Sequence, residues 1–251
     1  MRLKWVLFSL ILTSFIHAAD SINVSLYEPS SISYGIENDF LNQYIWHGIS
    51  YNEGLILQPS AWISKDNISI SVWGNITSYD VNSAIKRNEI DFFVEYYNEL
   101  ENFELESSLG YYIYPKQEDS PPTAEANIKL LYNVFESKLY TNLTLDVLEY
   151  PGSFTGDLGI IHEVNINDEL NLFFDINASM ANKKFNETNI DSYYSHNSLN
   201  YLSFSLSSNY FLTESIYIKP HFEYYQILNS ALKNISGNHL TNFGLLIGTE
   251  I

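Results

Sequence analysis

The chain contains no cysteine, so neither disulfides nor thiolate metal sites hold it together. Basic residues are scarce: 12 Lys and Arg face 30 Asp and Glu, a formal net charge of −18. That balance repels phosphate backbones and excludes nucleic acid as a partner. Charge of either sign is thin, at 17% of residues against about 25% in soluble domains. Beyond the N-terminus no apolar run approaches the roughly 20 residues a membrane-spanning helix needs. Phosphate-cradling glycine loops are missing, and His47, His162, His196, His221 and His239 are too scattered for a metal site. No cofactor is expected.

What is abundant is aromatic: 20 Tyr and 15 Phe, loads that suit girdles at two membrane interfaces. At the start, Arg2 and Lys4 precede an apolar run from Trp5 to Ile16 and the small residues Ala18 and Ala19. This reads as a secretory signal over residues 1–19, followed by a short periplasmic lead over 20–30. Losing Arg2 and Lys4 leaves 10 basic against 30 acidic residues, net −20.

From residue 31 to 251 apolar and polar side chains alternate in segments of about ten residues. One track reads Ile68, Ile70, Val72, Gly74, Ile76; others read Ile90, Phe92, Val94, Tyr96 and Ala126, Ile128, Leu130, Tyr132. The opposite track of those strands holds Asp91, Glu95, Asn127 and Lys129. Strands are expected at 31–46, 55–65, 67–78, 88–98, 101–114, 122–135, 138–149, 154–166, 169–180, 198–211, 214–228 and 239–251. Short connectors alternate with long ones; the long set is His47–Gly54, Tyr79–Arg87, Pro115–Pro121, Tyr150–Ser153, Ala181–Asn197 and Asn229–Asn238. Both rhythms fit an all-β fold: a closed antiparallel transmembrane β-barrel of about 12 strands, with short periplasmic turns and longer external loops. A soluble sandwich or lipocalin-like cup also alternates, but rarely needs so many long strands or sorts its loops by length. No helical domain or plug stands out.

The expected setting is the outer membrane of a Gram-negative bacterium, with outer-membrane lipid outside. The last strand, Phe243, Leu245, Ile247, Thr249 and Ile251 on one face, resembles the strand that barrel-assembly machinery reads, with Ile251 in place of a final aromatic. Near the start, Asp39, the run Tyr44-Ile45-Trp46-His47-Gly48-Ile49-Ser50, then Gln58-Pro59-Ser60 and Val72-Trp73-Gly74-Asn75 form a recognisable set. It resembles the opening of TorF-like proteobacterial outer-membrane proteins, placed near the MltA-interacting, MipA-like barrels. Those usually carry arginine where this chain has His47. The resemblance implies a barrel and hands over no mechanism. Physically, Gly48 and Gly54 suit a turn leaving the strand, and Tyr44 and Trp46 suit an interfacial girdle.

Candidate lumen-lining residues are Asp39, Asp91, Glu95, Glu104, Glu106, Glu125, Lys129, Asp146, Asp157, Glu163, Asp175, Lys219, His221 and Glu223. Carboxylate rings favour small cationic solutes in a passive channel. The alternative is an interior filled by paired charges and by Tyr112, Tyr140, Tyr217 and Tyr225, in a structural barrel that binds a periplasmic protein partner. A rim hydrolase is the third reading, built on His196 and Ser198 with Asn200, or on Asp80, Asp119 and His239. His162 faces lipid on this pattern, with Val164 where a partner serine would be needed. His221 and Glu223 form a candidate lumen pair.

Overall fold

The computed structural model describes residues 32–80, 88–117 and 120–251. The expected signal and lead therefore lie outside the described residues, as does Asp119. Alternation sends successive side chains to opposite faces, and a closed sheet gives every strand two hydrogen-bonded neighbours. The strands are β1 (Ile32–Trp46), β2 (Ile49–Lys65), β3 (Ile68–Asp80), β4 (Glu89–Leu100), β5 (Phe103–Ile113) and β6 (Thr123–Val134). They continue as β7 (Ser137–Asp146), β8 (Phe154–Asn165), β9 (Leu170–Ala181), β10 (Ser198–Phe211), β11 (Ile216–Ile227) and β12 (His239–Glu250). Each pairs antiparallel with the next, and β1 closes on β12 from Gly35↔Glu250 to Leu41↔Gly244. Two short helices among the described residues, α1 (Lys183–Asn189) and α2 (Ser230–Ser236), lie in external connections.

The outward face is apolar and exposed around the circumference: Ile70 on β3, Val94 on β4, Ile128 on β6, Leu158 on β8, Ile176 on β9 and Phe243 on β12. The inward face of the same strands holds Ser71, Asp91, Asn127, Asp157, Asp175 and Asn242, all buried. A soluble sandwich would reverse this arrangement. No helix of the described residues is long and apolar enough to cross a membrane.

At the periplasmic end the connections are short. Asp66, Glu101 and Phe135 open two-residue turns at φ +53°, +51° and +55°. Such left-handed turns match the twist of antiparallel strands.

The first external connection differs from the expectation. A loop over His47–Gly54 is replaced by strand pairing that runs to Trp46↔Ile49, closed by a two-residue turn with His47 at φ +48° and Gly48 at +79°. β1 leaves β12 after Leu41, and β2 joins β3 only from Gly54, which takes φ +136°. Residues 42–53 thus form a two-stranded arm paired only with itself. Irregular register between Leu41 and Gln43, and between Tyr44 and Ile45, bends it away from the wall. Adjacent residues Tyr44 and Ile45, on opposite faces of the arm, are only 2% and 0% exposed. The arm is buried on both sides and folds into the barrel mouth.

Candidate functional site: the barrel interior and its external mouth

The inward wall is dominated by carboxylates. Glu104 and Glu106 on β5, Glu125 on β6, Asp146 on β7, Asp157 and Glu163 on β8, Asp175 on β9 and Glu223 on β11 share the inward face with Asp91 and Glu95 on β4. Sequence reasoning passed over Glu37, which is buried on β1, Glu89 on β4 and Lys138 on β7. Bases are few. Lys138 pairs with Glu104 at 2.8 Å, Lys129 stands 4.0 Å from Glu106, and Lys219 faces inward on β11. Lys129 also lies over the Tyr140 ring, 4.7 Å from its centre. Both carboxylate oxygens of Asp91, and single oxygens of Glu95 and Asp157, are buried with no hydrogen-bond partner among the described residues.

Rings reach carboxylates two strands away by lying across an inward glycine. Tyr140 on β7 passes over Gly159 and donates to Asp175 on β9 at 3.0 Å. Tyr217 passes over Gly248 and donates to Glu37 on β1. His221 passes over Gly244 to Asp39 on β1, with Nε2 at 2.9 Å from Oδ2. The expected His221–Glu223 pair is therefore corrected: the bare backbone of Gly244 leaves the His221 ring room to reach the Asp39 carboxylate on β1. Glu223 instead accepts from Tyr225 at 3.0 Å and Asn242 at 3.3 Å.

The resemblance motif converges on the arm. Tyr44 packs with Trp73, Leu41, Ile56, Phe93 and Tyr112, and its hydroxyl donates to Glu89 at 2.9 Å. On the other side Ile45 and Ile49 pack with Tyr201, Tyr225, Leu232 and Leu240. Trp46 and Tyr51 touch both clusters and stack on each other at 5.9 Å. His47 and Trp46 meet Phe185 of α1 at 5.3 and 5.5 Å between ring centres. Ser50 N–H donates to Ser236 of α2. Tyr44 and Trp46 are thus the core of a mouth closure, not a girdle. Gln58 donates to Asn75 inside the barrel at 3.1 Å. Outside, Pro59, which has no N–H, falls opposite Gly74 where the β2–β3 ladder is interrupted.

Under the arm tip lies a cavity of about 40 Å³, lined by Trp46, Tyr112, Tyr114, Thr123, Glu125, Asp146, Tyr150, Ser153 and Asn189. Asp146 is fixed by the Thr123 hydroxyl at 2.6 Å and by the N–H groups of Leu148 and Tyr150. Burial, and then Glu89, Asp91 and Glu125, hold the Tyr114 hydroxyl well above the usual phenol range. Burial, and then Glu149 and Asp146, raise that of Tyr150.

The constellation of His196, Ser198 and Asn200 does not form a nucleophile–base pair: the Ser198 hydroxyl donates to Asn200 at 2.7 Å and accepts from Asn186 and Asn229, while the His196 ring lies tilted against Tyr194. His239 stacks on Tyr224. On the outer face, the sequence reading missed Ser137, whose Oγ lies 3.0 Å from His162 Nδ1 across the β7–β8 pair. Among the described residues His162 makes no other hydrogen bond.

A closed antiparallel barrel, apolar outside and polar within, defines an outer-membrane β-barrel. Among solved structures the chain is similar to the NanC porin, at 9% identity over 86% of this chain and 98% of that one, TM-score 0.52. It is also similar to the KdgM porin in complex with disordered oligogalacturonate, at 8% identity over 86% and 98%, TM-score 0.51. An outer membrane channel from Pseudomonas putida F1 matches at 8% identity over 90% and 97%, TM-score 0.51. These likenesses are of fold. No family model and no curated protein matches the chain.

Proposed function

We propose that this barrel is a passive, cation-preferring channel of the Gram-negative outer membrane, drawn here with its external mouth closed by its own first hairpin. The observation that carries this reading is the imbalance of the inner wall. Among the described inward residues carboxylates far outnumber Lys129, Lys138, Lys219 and His221, and Asp91 and Glu95 keep buried oxygens that no described donor satisfies. A wall built only for stability pairs its charges; an excess of one sign concentrates counter-ions. The oligogalacturonate of the KdgM complex is a polyanion, which this wall would repel.

The export signal over residues 1–19 and the assembly-signal likeness of β12 support the location. The TorF-like and MipA-like resemblance fits this reading, because its residues build the arm. A hydrolase reading has less support: Ser198 is engaged by amides, and among the described residues the Ser137–His162 pair has no third group to orient it.

Reconstitution in planar bilayers tests the proposal. Folded protein should give small steps whose reversal potential in a KCl gradient has the cation sign. Asp91→Asn with Glu95→Gln should reduce that preference severalfold. Anion selectivity, or no steps from protein shown to be folded, rejects the channel. The second reading, a filled barrel that holds a periplasmic partner, is favoured by the interlocked Tyr140–Asp175, Tyr217–Glu37 and Lys138–Glu104 contacts, and it predicts silence in that experiment.

A further inference from the structure

We propose that the cavity beneath the arm tip is a binding site for a small organic ammonium ion. The inference rests on the cation-preferring reading and names the class of cation that the external mouth selects. Four aromatic side chains, Trp46, Tyr112, Tyr114 and Tyr150, line the cavity together with the carboxylates of Glu125 and Asp146. Among the described residues no basic side chain lines it.

This mixture discriminates among cations. Alkali and alkaline-earth ions demand a shell of oxygens at short range, and aromatic faces do not replace lost water for them. An ammonium ion bearing methyl groups is weakly hydrated and is attracted to ring faces by their quadrupole. Its remaining N–H groups need acceptors, and carboxylate oxygens are strong ones. The two acids hold different positions. Asp146 is already committed to Thr123 and to loop N–H groups, so it contributes fixed charge. Glu125 accepts from the Tyr112 hydroxyl and keeps further acceptor positions for direct contact.

A second observation points the same way. Asp91, registered on Tyr112 across the β4–β5 pair, is 0% exposed and neither of its oxygens has a partner among the described residues. Its carboxyl group, adjacent in register to the ring, is an acceptor that no described donor uses. A cavity of about 40 Å³ has room for a methylammonium-sized group. Because Trp46 belongs to the arm, the cage is complete only while the arm is folded in. Occupancy and closure of the mouth therefore reinforce each other.

Equilibrium dialysis of radiolabelled methylammonium against the refolded full chain in detergent tests the site. One saturable site is expected, displaced by tetramethylammonium but not by sodium or glucose at matched ionic strength. Glu125→Gln and Tyr114→Leu should each weaken binding at least tenfold. Glu169→Gln, which removes the same charge at the far end of the barrel, should leave it unchanged. Two substitutions of different chemistry guard against one that fails to fold, and heat-modifiable migration in electrophoresis verifies each. Non-saturable uptake, equal displacement by sodium, or binding unaffected by both cage substitutions overturns the proposal. The assay needs no current. A barrel that binds methylammonium without conducting keeps the site and loses the channel; one that conducts cations without binding it loses the site alone.

Discussion

Tyr140, Tyr217 and His221 each span an intervening strand because a glycine lies beneath the ring. A Cβ added at Gly159 would come within 2.4 Å of the Tyr140 ring. Gly159→Ala should therefore expel the ring from Asp175 and destabilise the barrel by about 1–3 kcal/mol, the usual penalty for overpacking. Urea unfolding in lipid vesicles measures it, and an unchanged midpoint would show the ring to be free to move. None of these contacts was legible in the chain. Asp39 and His221 are separated by 182 residues, and only closure of β12 on β1 brings them together. The His221–Glu223 pairing was drawn from same-face spacing, the only neighbour relation a sequence offers.

At the level of elements, the strands were written plainly in the residues. A period of two survives because each outward position meets hydrocarbon and each inward one meets a polar interior. The observed β3 (Ile68–Asp80), β6 (Thr123–Val134) and β10 (Ser198–Phe211) differ from the expected spans by two residues or fewer at each end. Ile128, at the middle of β6 and 55% exposed, tests the belt. Ile128→Arg should cost about 2–4 kcal/mol in vesicles, whereas Asn127→Ser, on the inner face, should cost less. Equal effects in a vesicle unfolding titration would contradict a lipid-facing β6. The arm was misread because glycines and a polar turn look alike whether a loop projects outward or a hairpin folds in. Tyr44, Ile45, Trp46, Ile49 and Tyr51 are too apolar for an exposed loop of this size, and that composition was the available signal.

For the whole molecule, the decisive feature is where the arm goes. An eight-stranded barrel is filled by side chains and one of 16 to 18 strands encloses water; twelve strands lie between, so an inserted segment settles the bore. Replacing Tyr44–Tyr51 with an Asn-Gly turn removes the contacts with Tyr201, Leu232 and Phe185. Single-channel conductance should then rise severalfold with the selectivity sign unchanged. Conductance equal to that of the parent would mean that the arm is no barrier.

By itself the sequence determined the closed antiparallel barrel, its inside and its outside, since alternation over twelve strands has one low-energy solution when one face is oily and the other charged. Tertiary structure alone decided which carboxylates find partners, which rings cross glycines, and that the first hairpin turns into the mouth. Those outcomes depend on strands distant in sequence meeting around a ring, and on a bend at Leu41–Ile45 whose direction only the surrounding walls fix.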